Sequence, residues 1–156
     1  MTEQSAQYLE DASAERDWVV STVGPSGYRT DVSAREHRFT VDEPTSVGGS
    51  NAGPTPYEYL LGSLGGCTAM TLRMYANRKQ WPLERVEIKL RTARSYARDC
   101  ENCVDQDVGI TRLERRIELT GPLTVDQRAR LLQIADRCPV KQSLERGFRV
   151  ETTAGQ

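Results

Sequence analysis

Apolar residues recur along the chain at two different periods, and the switch between them marks its elements. From Asp17 onward the pattern is that of strands: WVVSTV is β-branched and aromatic, YRTDVS alternates, and HRFTVD follows the turn-like AREH. These runs predict one or two hairpins, with Gly24, Pro25 and Gly27 marking a bend or bulge. EPTSVGGSNAGPTP has no periodicity and is dense in Gly and Pro, so it reads as a loop. At Thr55 the period changes. Thr55 as N-cap, Pro56 at the first helical position and Glu58 three residues after the cap form a capping-box signature. Tyr57, Leu60, Leu61, Leu64, Met70, Met74 and Tyr75 then recur largely by threes and fours. Cys67 falls on that stripe and is expected to face the core, with Met70 and Met74 packed in it. Pro82 ends the helix, because it biases Trp81 away from helical geometry.

The second half repeats the scheme. Val86, Ile88 and Leu90 alternate with Glu87, Lys89 and Arg91, a half-buried strand with one charged face. ITRLERRIEL predicts another, with Leu113, Ile117 and Leu119 on one face and Arg112, Glu114, Arg116 and Glu118 on the other. A second capping box, Thr124 with Gln127, opens a helix whose stripe is Leu131, Leu132, Ala135 and Cys138, and Pro139 stops it. FRVET reads as a short closing strand. The expected order is β-β-α-β-β-α-β, an α+β fold with antiparallel strands and two cysteine-bearing helices. Residues 1–16 form a polar tail and 17–156 a single domain.

Composition narrows the possibilities. A chain of 156 residues suits one domain with a real core. Net charge is -1 with 28% charged residues, interspersed in sign, so no field steers the protein to nucleic acid or to a membrane surface. No apolar run is long enough to span a bilayer and the N-terminus lacks a signal-peptide pattern, so a cytoplasmic location is expected. There, four cysteines (67, 100, 103 and 138) point to catalysis or metal binding rather than to structural bridges. A single histidine, His37, leaves little room for a histidine base or an imidazole cage, and in a strand it reads as structural or solvated. Cys100-x-x-Cys103 supplies half a zinc site; completing it needs a second pair across a dimer axis, and a local disulfide or plain loop thiols are equally available.

GPTPYEYLLGSLGGCTAMTL followed by IADRCPV resembles the OsmC/Ohr family, the osmotically inducible and organic hydroperoxide resistance proteins. The resemblance spans roughly residues 17–152. More narrowly, VDEPTSVGGSNAGPTPYEYLL, RMYANRKQWPL and DCENC are similar to a subgroup sometimes fused to hydrolase domains. It implies an intertwined homodimer with an antiparallel sheet, central cysteine-bearing helices and active sites between subunits. It also implies a thiol-dependent peroxidase acting on alkyl or fatty-acid hydroperoxides, with no cofactor and with a dithiol or lipoylated protein as reductant. By resemblance Cys67 is the peroxidatic cysteine and Cys138 the resolving one. An arginine from the early strands and a glutamate at the start of the central helix complete the site. Arg29 is the candidate for the first, with Arg35 and Arg38 as rivals. Glu58 is the candidate for the second, although the family's acid directly follows the proline, where this chain has Tyr57.

A peroxidatic thiol must be lowered from an ordinary pKa of ~8.5. Two devices are available to Cys67: a helix break at Gly65-Gly66 that exposes free N–H groups, or a nearby arginine. Cys138, at a helix end among unpaired carbonyls, is expected to stay a thiol. The plain alternative is that both cysteines are small core residues. A non-catalytic OsmC-like redox sensor, or an apolar-ligand or metal-binding module, is the competing function.

Overall fold

The computed structural model describes residues 18–93 and 112–154; Cys100, Cys103 and the rest of DCENC lie outside them. The chain divides into two compact units, Met1–Leu60 and Leu61–Gln156.

In the first unit the three alternating runs form β1 (Val19–Val23), β2 (Thr30–Ala34) and β3 (His37–Val41), an antiparallel sheet in the order β1-β2-β3. Two hairpins result, with Val32 opposite Ser21 on one side and Phe39 on the other. The first turn contains Gly27 at φ 72, and the tight second one places Arg35 at φ 55. Val32 is buried, whereas all of β1 is exposed. The loop after β3 is organised by one carboxylate. Asp42 accepts from the backbone N–H groups of Glu43 (2.8 Å), Ser50 (3.0 Å) and Ala52 (3.0 Å) and from the Ser50 hydroxyl (2.6 Å). These four donors, the hydroxyl foremost, hold its pKa down at about 2. The glycines here serve close approach: a Cβ on Gly49 would meet the Glu43 carbonyl at 1.8 Å, and one on Gly53 the Thr40 carbonyl at 2.2 Å.

Helix α1 (Pro56–Lys79) begins at the expected cap. The Glu58 N–H donates to Thr55 Oγ1 (3.3 Å), and the Thr55 N–H donates to Glu58 Oε2 (2.7 Å). It ends at Gln80, left-handed at φ 54, with the Gln80 N–H on the Asn77 carbonyl (3.0 Å) and the Trp81 N–H on the Ala76 carbonyl (2.9 Å). That is a Schellman ending made without glycine. Trp81 then packs edge-on against Tyr75, ring centroids 5.6 Å apart.

The second unit pairs β4 (Arg85–Ala93) with β5 (Arg112–Thr120), Ile88 opposite Ile117 and Leu90 opposite Arg115. The charged face expected of these strands carries Lys89–Glu118 (2.8 Å) and Arg91–Glu114 (2.6 Å) pairs. Helix α2 (Val125–Ala135) starts on the expected Thr124–Gln127 capping box. The core is Leu72, Ala76, Leu83, Leu123, Leu131, Ile134 and Ala135, with Val86, Ile88, Ile117 and Leu119 packed against it.

Four expectations change. The buried positions of α1 are Leu64, Thr68, Leu72 and Ala76, so Met70 and Met74, 62% and 72% exposed, are not core. The true stripe passes through a threonine, whose hydroxyl is satisfied by the Leu64 carbonyl (2.8 Å) and can therefore be buried. Within α2 the inward residues are Leu131, Ile134 and Ala135, and Leu132 faces out. Pro139 does not merely stop a helix: it starts a further one, α3 (Pro139–Arg146), whose N-cap is Cys138. FRVET forms no strand: among the described residues it joins neither sheet, and its Phe148 and Val150 are exposed; a strand needs a neighbour to take its backbone hydrogen bonds.

Candidate active site

Two free sulfurs meet within the second unit. Cys67 sits in the interior of α1 and is half-buried; Cys138 is fully buried where the α2–α3 corner turns into α3. The thiols are neighbours, and each alters the other's ionisation.

The expected polarity of the pair is reversed. Helix α1 runs unbroken through Gly65 and Gly66, so no free N–H groups open beside Cys67. Burial pushes the Cys67 thiol up, and the adjacent Cys138 adds to this, against an opposing pull from the Val140 N–H and the Thr71 hydroxyl. For Cys138 burial also opposes ionisation, but it is outweighed by Cys67, the N–H groups of Lys141 and Val140 and the Thr68 hydroxyl, so its thiol lies below the ordinary value. Its side chain makes no formal capping hydrogen bond, and the effect is that of helix N-terminal dipoles pointing at an anion. The residue expected among unpaired carbonyls is in fact at the positive end of a helix, because Pro139 closes nothing and opens α3.

A third partner was missed in the sequence. Arg115 lies on β5 in phase with Leu113, Ile117 and Leu119, a charged residue on the apolar face. Its side chain is only 15% exposed. Nη1 donates to Thr68 Oγ1 (3.1 Å) and to the Ala135 carbonyl (3.2 Å), while Nη2 donates to Asp136 Oδ1 (3.0 Å). Lys141 reaches the same Asp136 oxygen at 3.6 Å and pairs with Glu145. The break in alternation was the available signal.

A cavity of about 380 Å³ in the second unit is lined by Thr71, Met74, Tyr75, Arg78, Arg137 and Pro139, among others. Of its wall residues, Thr71 donates to the Cys67 carbonyl (2.8 Å) and Pro139 follows Cys138 in the chain; neither cysteine lines the cavity itself. Its walls are mostly apolar and its charges are cationic. A second cavity, about 410 Å³, runs along Leu61, Gly62, Gly65, Gly66, Ile88 and Leu90. There a Cβ on Gly65 would press on Leu90 Cδ1 at 3.0 Å, whereas one on Gly66 would meet nothing.

The remaining candidates lie in the first unit. Arg29 is exposed and holds a long ion pair with Asp31 (3.4 Å). Glu58 is engaged by the cap of α1. Arg35 occupies a turn, and Arg38 and His37 are exposed on β3, His37 beside Glu36 (3.2 Å). Among the described residues no cluster of three or more metal-ligating side chains forms, and no helix is long and apolar enough to cross a membrane.

Among the described residues, antiparallel sheets, three α-helices and a paired-thiol centre define a class of α+β protein. The chain belongs to the OsmC-like family: the family model described as OsmC-like protein matches residues 48–153, more than half of the chain. Solved structures share the fold. An OsmC-like protein from Mycoplasma pneumoniae superposes with a TM-score of 0.67 at 18% identity, covering 82% of this chain and 86% of that one. An OsmC-like protein of unknown function from Vibrio cholerae gives 0.62 at 12% identity, covering 80% and 90%. An organic hydroperoxide resistance protein OsmC from Legionella pneumophila gives 0.55 at 16% identity, covering 80% and 87%. No curated protein matches.

Proposed function

We propose that the protein is a thiol-dependent peroxidase for organic hydroperoxides, working as a homodimer. The observation that carries this reading is the pair of neighbouring free thiols, one half-buried and one fully buried, on α1 and at the N-cap of α3. We assign the attack to Cys67, the more accessible sulfur, and the initial negative charge to Cys138, whose thiol is pushed down by its hydrogen-bond donors. The two roles are compatible if the Cys138 thiolate takes the proton of Cys67 when a peroxide arrives. The Cys67 thiolate then attacks the terminal peroxide oxygen: an S–O bond forms, the O–O bond breaks, and the alkoxide leaves as the alcohol after taking a proton. Cys67 is now a sulfenic acid. Cys138 attacks its sulfur, an S–S bond forms and water leaves. An external dithiol reduces that disulfide, becomes oxidised itself and restores both thiols.

The cavity bordered by Thr71 and Pro139 supports an apolar peroxide, and Arg78 and Arg137 in its wall suit one with a carboxylate, as an oxidised fatty acid carries. Arg29 and Glu58 are carried as further candidate site residues on the family resemblance; Arg29 holds an exposed ion pair with Asp31 and Glu58 is engaged by the cap of α1. The exposed apolar residues Trp18, Val19, Val20, Val23, Phe148 and Val150 supply surface for a second copy.

The test is turnover of cumene hydroperoxide with dithiothreitol. Wild type should turn over, Cys67→Ser should not, and Cys138→Ser should react once and then accumulate a sulfinic acid at Cys67. Equal slow consumption by all three proteins would sink the reading and favour a non-catalytic redox sensor. Light scattering on the same samples should give twice the chain mass; a monomer mass removes the dimer.

A further inference from the structure

We infer that Arg115 is a positioning residue for the thiol pair, acting on Cys138 through the Thr68 hydroxyl and through the α2–α3 corner. This inference rests on the reading of Cys67 and Cys138 as the reactive pair.

The first part of the argument concerns a single proton. A threonine hydroxyl has one hydrogen and two lone pairs. Arg115 Nη1 donates to Thr68 Oγ1 at 3.1 Å and so occupies a lone pair. The hydrogen is left with two receivers, the Leu64 carbonyl at 2.8 Å and the sulfur of Cys138. When Cys138 is a thiol the carbonyl takes it; when Cys138 is a thiolate the anion is the stronger acceptor and the hydroxyl turns to it. The guanidinium donates to that hydroxyl and so polarises it in either state.

The second part concerns where Cys138 sits. The same guanidinium holds the Ala135 carbonyl, at the end of α2, and the carboxylate of Asp136, the next residue. Two further backbone bonds tighten the corner, Arg137 N–H to the Ile134 carbonyl (2.9 Å) and Cys138 N–H to the Ala135 carbonyl (3.3 Å). Arg115 therefore fixes the short bridge that delivers the Cys138 sulfur to the first N–H groups of α3. Among the described residues, Cys67 from α1 faces that sulfur directly, and the charged groups on the elements that hold it include Arg115 from β5, Asp136 from the corner, and Lys141 with its partner Glu145 from α3. Asp136 offsets part of the Arg115 charge, so a fixed geometry, rather than a bare cation, is what Arg115 contributes.

The experiment measures the pH profile of thiol modification in the full chain. Wild type, Arg115→Gln, Arg115→Lys and Thr68→Val are treated with methyl methanethiosulfonate over a range of pH, and Cys67 and Cys138 are quantified separately by peptide mass spectrometry. Melting is recorded in parallel. In Arg115→Gln and Thr68→Val the Cys138 midpoint should rise by about one pH unit, slowing its modification at neutral pH by about tenfold. The Cys67 midpoint should not follow it upward, and Arg115→Lys should recover part of the change. A Cys138 midpoint that stays in place in both folded variants would overturn the inference. So would both cysteines shifting together in proportion to lost melting temperature, which is what a merely structural arginine gives. Thr68→Val keeps the shape of a buried residue and leaves the Arg115 side chain in place, so it reports even if Arg115→Gln does not fold. No peroxide is used, so the result is independent of whether the pair turns over hydroperoxides.

Discussion

A carboxylate and a thiol illustrate how far local hydrogen bonding can move a single residue. Asp42 gathers four donors and has no exposed surface to speak of. Its folded-state pKa of about 2 lies below its ordinary 3.8, so its contribution is complete above pH 3.8 and is lost as pH falls toward 2. Asp42→Asn should lower the melting temperature at neutral pH, since an amide offers one acceptor oxygen where the carboxylate offers two. It should also flatten the acid limb of the stability curve between about pH 4 and 2. Superimposable acid melts for the two proteins would show that the loop does not depend on the carboxylate. None of this was legible in the sequence, where EPTSVGGSNAGPTP announced a loop but nothing tied its breakers to an aspartate upstream. The cysteines were half legible. Their pairing came from resemblance and their neighbourhood agrees with it, but the charge assignment inverted because it hangs on whether a proline ends a helix or begins one.

At the level of elements, what the pattern conveyed best was how helices begin. Both capping boxes, Thr55 with Glu58 and Thr124 with Gln127, form as written, because an N-cap is a contest among four consecutive residues. How they end is harder to read. Helix α1 stops at a left-handed Gln80, a geometry glycine adopts at no steric cost, and Pro82 only follows. Gln80→Gly should therefore stabilise the protein by about 1 kcal/mol, visible as a raised midpoint in urea with an unchanged slope. A lowered midpoint would mean that the Gln80 side chain contributes more than its backbone costs. Faces were misread for a related reason. Counting Met70 and Met74 as apolar set the phase of α1 wrongly, and discounting Thr68 hid the position that carries the buried stripe past the thiol pair. On β5 the alternation was right, and its one violation, Arg115, was the residue worth asking about.

Across the whole molecule, the α+β class and the antiparallel pairing followed from alternation alone, whereas the closing strand did not form. A strand needs a neighbour, and sequence periodicity does not say whether that neighbour is in the same chain. The exposed valines of β1 and the exposed Phe148 and Val150 pose the same question on the first and second units in turn.

The meeting of positions 67 and 138 also has a mechanical side. A bond between those sulfurs would close a ring containing nearly half the chain, including β4, β5 and α2. Such a ring removes about 4 kcal/mol of unfolded-state freedom, which for a chain of this length corresponds to roughly 10 °C in melting temperature. Protein treated with one equivalent of peroxide, its disulfide verified by the loss of two hydrogens in mass, should accordingly melt well above the reduced form, and coincident melts would mean the ring is strained. The chain would then serve as its own thermometer of oxidation: heat tolerance would rise with exposure to oxidant and fall again as reductant returned.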